Sequence, residues 1–568
     1  MNFQNRQGTI LILSLLVVMV LLIFGAIFIL RSVTEKAMSD RERMMTQALY
    51  IAEGGGEAGL EELDTLINIH MLTKVNATNP QKVATDAQSY VTSGDSLSLL
   101  INYVKIGSTP QLVLNGAQAE YAGTATTLGN GTYQYKIVIT EKSNPIVINV
   151  DTWDFPYYYR IETTASVGSD TTRKVAKIGD FTVRIQRDNF AKYALFTDKH
   201  KMPNGTTVWF TNKTNFSGPV HTNERFSFAL NPSGTFEGIV TQQFTSARFY
   251  NNGSPILLNA DNNPPKDIPT FNAGFTRDDD LVELATATQK QDMIDEARAG
   301  DTSIANGIFL ANNGTALTGG VYINGNSTIA MSVDGSDHEV YTITQGSTTK
   351  IVTVDHQSSQ TSVQTVGGST TTYSGLPDGV DDLGTLIFAN GTVTSLGGTI
   401  QKDTELTIAS ENDIVISNHV AYSNYTAAVG TPGQPGYQPP TAESAKNLLG
   451  LVSWSGNVRI GTSASNDINV HGAVMAQNGI FTVDNYTNTG VGPRGTATLL
   501  GGAITGNYGA FGQFSGSTGQ HISGYGRNFV YDERMLVGKS PPYFPTMKTF
   551  IAFTNDITDK ITWQEGGF

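Results

Sequence analysis

The side chains able to do chemistry in this sequence are thinly spread. Asp413, Asp467 and Asp484 lie in strand-like stretches late in the chain. A pair of carboxylates is what acid–base cleavage of a polysaccharide needs, but no spacing joins any two of these. The eight histidines are scattered; His221, His419, His471 and His521 fall in strand or turn contexts, and no His-Glu-x-x-His pair offers two metal ligands on one helix face. Cysteine is absent, which removes thiolate nucleophiles, thiolate metal sites and disulfides together. Gly538-Lys539-Ser540 ends like a phosphate loop, yet Glu533 stands where its first glycine belongs and Pro541 follows at once. Arg277-Asp-Asp-Asp280 lacks the spaced oxygen ligands of a calcium loop. The reading is a protein that is not an enzyme and needs no cofactor and no metal.

One cluster suits binding rather than catalysis. Arg527, Arg534, Lys539 and Lys548 are interleaved with Tyr508, Phe511, Phe514, Tyr525, Phe529 and Tyr531. Cations among rings can hold a single strand by pairing with phosphates and stacking on bases. Two facts weigh against it. The formal net charge of −14 has the wrong sign for a surface that tracks phosphate throughout, and the same rings suit a region that closes the core of a β-domain.

The elements that must carry these residues are of two kinds. Ile10 to Leu30 is an apolar run broken only by Ser14 and Gly25, and as a helix it reaches ~31 Å, one bilayer core. It is longer than the apolar region of a secretory signal, and no small-residue cleavage site follows it. Arg31, Lys36, Arg41 and Arg43 come after the span and only Arg6 before it, so charge counting does not itself place the N-terminus inside. Beyond the first helix, 59 glycines and only 15% charged residues suit short strands joined by many turns.

The leader Met1-Asn-Phe-Gln-Asn-Arg-Gln-Gly8 abuts the apolar run and resembles a class III prepilin leader. The apolar span, its basic collar and Gln47-Ala-Leu-Tyr-Ile-Ala-Glu53 resemble the start of PilX-type minor pilins. This resemblance implies cutting by a prepilin peptidase between Gly8 and Thr9. It also implies that Leu13 occupies the fifth mature position, where major pilins carry a glutamate that pairs inside the filament core. A subunit without that carboxylate suits priming or capping a filament. Gly54-Gly55-Gly56 is expected to loosen the helix, with a second helical piece from Glu57 to about Met71.

Further on, a helix is expected over Asp86 to Lys105, and then the apolar period becomes two. Tyr133, Tyr135, Ile137 and Ile139 alternate with polar residues, as do Tyr159, Ile161, Thr163, Ala165 and Val167, which predicts an antiparallel sheet. From Phe190 onward, stretches such as Leu386-Ile-Phe-Ala-Asn-Gly, Leu451-Val-Ser-Trp-Ser-Gly and Val474-Met-Ala-Gln-Asn-Gly each run an apolar strand into a small polar turn. That loose repeat predicts a β-solenoid, with a β-sandwich as the alternative. A surface helix is expected over Asp280 to Arg298 and an inserted hairpin array over Gly320 to Gly379. A pilin head bearing a grafted solenoid is similar to the ComZ type of competence-associated minor pilin.

The expected fold class is α+β: a long N-terminal pilin-type helix with an antiparallel sheet head, then a large all-β, solenoid domain. The boundaries are 1–8 for the leader, 9–72 for the helix, 73–190 for the head, and 191–545 for the β-rich domain with insertions near 265–380 and 425–445. Residues 546–568 form a C-terminal strand or tail. The resemblance implies a minor pilin or tip subunit of a type IV pilus or related filament, anchored by one pass in the cytoplasmic membrane with its large domain outside. Its implied partners are other pilins, the assembly machinery, the prepilin peptidase and the membrane. The β-domain would serve adhesion to an extracellular surface ligand; the alternatives are a DNA receptor for uptake and a membrane-anchored solenoid that binds or cleaves polysaccharide.

Overall fold

The computed structural model describes residues 4–565, apart from 150, 169–170, 212–213, 230–233, 252–253, 261–267, 431, 433, 443–445, 516–519, 537, 555–556 and 558–561. Met1 to Phe3 of the leader lie outside the described residues, as do the side chains of residues 4–8. The chain forms two compact units, residues 1–186 with 550–568, and residues 187–549.

The first unit is built on α1, Gln4–Asp64, a single helix of 61 residues. It continues through a π-helical stretch, Thr65–Met71, into the short α2, Leu72–Asn76. From Ile10 to Leu30 its large side chains point into open space, Leu13 at 65% exposure, so this half is long and apolar enough to cross a membrane. In the second half one stripe turns inward: Ala48, Ile51, Ala52, Leu60 and Leu63 are buried.

The expected break at Gly54-Gly55-Gly56 does not occur, and no separate piece begins at Glu57. A Cβ on Gly55 would lie 2.6 Å from both Thr163 Cγ2 and the Tyr133 ring, and one on Gly59 would lie 2.5 Å from Ile161 Cγ2. The missing side chains let the helix backbone settle onto the sheet. That contact outweighs the ~1 kcal/mol by which each glycine disfavours a helix.

The single helix expected over Asp86 to Lys105 is two. The first, α3, Pro80–Ser93, is capped by Asn79 and ends at Gly94 with φ 69°. The second, α4, Ser96–Tyr103, starts on an Asp95 cap that accepts from Ser98 N. A left-handed glycine followed at once by a capping aspartate stops one helix and starts the next.

The sheet follows the period of two. Val113–Asn115, Gln118–Ala122, Gly131–Glu141, Thr152–Val167 and Thr171–Asn189 are successive antiparallel neighbours. Along Thr152–Val167, Tyr157, Tyr159, Ile161, Thr163, Ala165 and Val167 are buried in alternation. Two strands from the end of the chain, Thr546–Phe553 and Thr562–Glu565, extend the sheet beside Thr171–Asn189.

The second unit is a coil of parallel rungs. In spatial order, its main face stacks Phe275–Thr276, Val240–Gln242, Val220–Thr222, Leu195–Lys199, Pro493–Asn507, Asn469–Ala476, Leu448–Ser453, Glu405–Ser410, Thr385–Ala389 and Leu317–Asn324, each parallel to the next. The chain therefore enters in the middle of the stack and winds out to Thr276. It crosses to the far end at Gly307 and winds back until Ala503 pairs with Leu195, closing a seam between two half-coils. Stacked turns and rungs leave no room for side chains: a Cβ on the corner residue Gly479 would meet the Gly456 carbonyl at 2.1 Å, and one on Gly502, within the rung Pro493–Asn507, would meet the Tyr193 carbonyl at 2.1 Å.

The crossing carries α5, Ala287–Arg298, shorter than the expected Asp280 to Arg298 because Thr286 and Gln289 form a reciprocal cap that fixes its start. Nor is it only a surface helix, since Met293 and Ala297 are buried in the coil core. In chain order, an antiparallel array follows Leu317–Asn324 and precedes Thr385–Ala389: Ser327–Val333, itself parallel to Val393–Ile400, then Glu339–Gln345, Thr348–Asp355, Gln360–Thr365 and Thr370–Ser374.

Candidate functional site

The N-terminal helix is the candidate assembly element. Gly8 and Thr9 both lie inside α1, and Leu13 is exposed on its apolar half. Lower down, α1 is held to its sheet by shape and by charge. Lys177, fully buried on the strand Thr171–Asn189, meets Glu57 of the helix as an ion pair, and its stem runs 3.3 Å from where a Gly56 Cβ would stand. Sequence reading did not find this pair, because a lysine pointing into a sheet face has the same local signature as one pointing out.

Three of the four cations proposed for nucleic acid or surface contact have individual partners. Arg534 pairs with Asp532 at 2.6 Å, donates to the Asn447 carbonyl at 2.8 Å and lies 5.1 Å over the Tyr422 ring. Lys548 pairs with Glu283. Arg527 is exposed with its guanidinium 5.1 Å over Tyr508, and Lys539 is exposed. Most of the neighbouring rings are core: Tyr508, Phe511, Tyr525 and Tyr531 are buried, whereas Phe514 is 47% exposed. This is the pattern of a region closing the coil, with Arg534 spent inside it.

The three carboxylates are also placed. Arg459 bridges two of them across neighbouring rungs, its Nε 3.0 Å from Asp413 and its Nη1 2.7 Å from both oxygens of Asp484. Asp413 also accepts from Asn457 N at 2.7 Å. Asp467 sits in a left-handed turn, φ 52°, and accepts from Thr496 N at 2.8 Å. A cleft beside Asp484 is lined by Thr462, Asn485, Asn488, Arg494 and Gly524.

Arg459 itself escaped sequence reading; its only signal was an outward polar position in Asn457-Val-Arg-Ile460. Replacing it by leucine leaves two half-buried carboxylates facing one another. The expected loss is about 2 kcal/mol in the stability of the coil, read from the urea midpoint, because the pairs are only partly screened. No change in midpoint would make the bridge ornamental.

The four histidines named from the sequence each have partners within the fold. His221 shares its ring nitrogens with Thr241 at 2.6 Å and Asn223 at 3.0 Å. His471 accepts from Tyr422 N at 3.1 Å through Nδ1, and Asn469 N donates to His419 Nδ1 at 3.1 Å. The His521 ring stacks on Phe514, with centroids 4.7 Å apart. Among the described residues no three acidic or histidine side chains converge as a metal site.

Residues 154–243 match a family model described as a domain of unknown function, DUF4900, a stretch running from the fourth strand of the head sheet into the first rungs of the coil. No curated protein matches the chain. Among solved structures, the competence-associated pilin ComZ from Thermus thermophilus aligns over 92% of this chain and 98% of its own, at 10% identity and a TM-score of 0.27.

Proposed function

We propose that this chain is a minor pilin or tip subunit of a type IV pilus or a related filament. In this reading residues 9–30 hold it in the cytoplasmic membrane before assembly and the large β-rich domain stands outside. Its work is structural rather than enzymatic: it primes or caps the filament and presents the coil to an external surface, with other pilins, the assembly machinery and a prepilin peptidase as partners.

The observation that carries the reading is the division of α1. One uninterrupted helix has an apolar half with nothing packed on it and a half fastened to an antiparallel sheet through Gly55 and Gly59. That is the build of a part that must leave a bilayer and enter a bundle of like helices without its head coming loose. Leu13 supports the terminal position, since it brings no charge to be neutralised inside an apolar bundle.

The deciding experiment is the mass of the mature N-terminus in cells possessing a prepilin peptidase, for the native protein and Gly8→Ala. The expected result is a native chain beginning at methylated Thr9 and a variant that stays full length. An uncut chain beginning at Met1 in both would sink the filament reading and leave a membrane-anchored coil.

A further inference from the structure

The hairpin array between Ser327 and Ser374 is joined to the coil in part by a polar patch on the turn Gln401–Thr404. Gln401 N donates to Glu339 Oε2 at 2.5 Å. Lys402 pairs with Asp337, and His356 Nε2 meets Thr404 Oγ1 at 2.8 Å. Glu339 is the unusual member. Its side chain has no exposure, and its Oε1 is buried without a hydrogen-bond partner. Beside it are the Tyr341 hydroxyl and Thr385 Oγ1, both buried and also without partners of good geometry.

We propose that Glu339 is a proton-operated latch: protonated, it lets the hairpin array dock on the rung turn Gln401–Thr404, and losing the proton favours release of the array. A buried carboxylate needs a counter-charge or a proton. The nearby lysine, Lys402, is engaged by Asp337 at 44% exposure and also reaches Asp403 at 3.2 Å. Of the other titratable groups around the latch, two are held neutral by burial and one is taken up by carboxylates of its own. His356 is kept neutral by burial, which pushes its pKa down; the His338 ring lies 3.0 Å from Asp334 and 3.6 Å from Asp355; Tyr341 is held neutral by burial.

Burial also pushes the Glu339 carboxyl up to about 8, against ~4.3 for the group in water. The docked state therefore holds a proton that the released state gives up between about pH 4.5 and 8. Release becomes easier as pH rises through that window and stops changing above it. What release uncovers is the apolar face of the array, Tyr341, Ile343, Val352 and Val354.

The test is amide hydrogen exchange of the full chain in detergent micelles, corrected for intrinsic rate. Protection of Glu339–Gln345 and Thr348–Asp355 should fall about tenfold per pH unit from pH 5 to 8 and then level, while Leu448–Ser453 stays protected. In Glu339→Gln the same strands should show no pH slope. Three results would overturn the latch: a wild-type array indifferent to pH, an equally steep fall in E339Q, or protection at fixed pH set by sodium or potassium concentration, which would make the missing charge a cation. The wild-type series with its internal control decides the matter even if the variant folds poorly.

Discussion

Gly55→Leu is expected to cost the first unit about 3 kcal/mol or more, enough to expose the lower half of α1 to exchange while its upper half is unaffected. Two effects oppose one another at this position. Leucine favours a helix over glycine by up to ~1 kcal/mol, and a surface helix would simply gain it. At Gly55 the new Cβ would stand 2.6 Å from the Thr163 methyl and from a Tyr133 ring atom, and rigid groups overpacked at that distance cost ~1–3 kcal/mol before the rest of the leucine is added. Gly25, with nothing within 4 Å, is the internal control, where alanine should leave the unit unchanged. Hydrogen exchange of residues 44–64 in detergent separates the cases; unchanged protection in Gly55→Leu would mean that the sheet yields and that close approach is not what holds the helix.

The second large effect is acid loss of the coil. His200 and His471 are buried at 2% and 0% exposure, and burial pushes each imidazole down to about 3. His200 sits among the rings of Phe210, Phe226 and Tyr508, while His471 Nδ1 must keep its lone pair to accept from Tyr422 N. Folded values below the unfolded ~6.5 mean that the unfolded chain binds the protons. The stability they contribute is present above pH 6.5 and is lost as pH falls toward 3, by up to about 4 kcal/mol for each ring. Glu339 and Asp378, whose carboxyls burial pushes up to about 8 and about 6, pull the other way, since they bind protons in the folded state. The histidine part is therefore read from a difference. Urea midpoints of His471→Gln, which keeps an acceptor for Tyr422 N, should fall less steeply with acid than wild type, by about 1.4 kcal/mol per pH unit between 6 and 3. Parallel curves would show that the ring is already charged in the fold.

What could be read from the sequence was what local pattern encodes. Ile10 to Leu30 announces its helix by composition alone, and the alternation from Tyr159 to Val167 announces a half-buried strand. The turns Asn390-Gly391, Ser455-Gly456 and Asn478-Gly479 mark stacked corners, because only glycine fits where the next rung's backbone passes. The failures have a common cause. The glycines at 54–56 look like helix breakers until Tyr133 and Thr163 are known to lie beneath them. Arg534 looks like a surface cation until Asp532 and Asn447 enclose it. The seam pairing Leu195 with Ala503 joins segments with no shared pattern and a long stretch of chain between them. Each depends on a partner distant in sequence, and periodicity carries no information about such partners.

The return of the chain end to the head sheet has a consequence for biosynthesis. Tyr159 Oη donates to the Ile557 carbonyl across 398 residues, and Thr546–Phe553 completes a sheet whose other long strands are made before residue 190. Closing a flexible loop of that length costs ~5 kcal/mol, so the head cannot finish until the coil has folded and brought its own two ends together, as Arg187 Nη1 and the Lys548 carbonyl are at 3.2 Å. The strand Thr546–Phe553 leaves the ribosome only after the coil. A nascent chain stalled or clipped short of residue 546 would lack strands of the head sheet, so completion of the sheet that grips α1 serves as a check that the coil before it has been made.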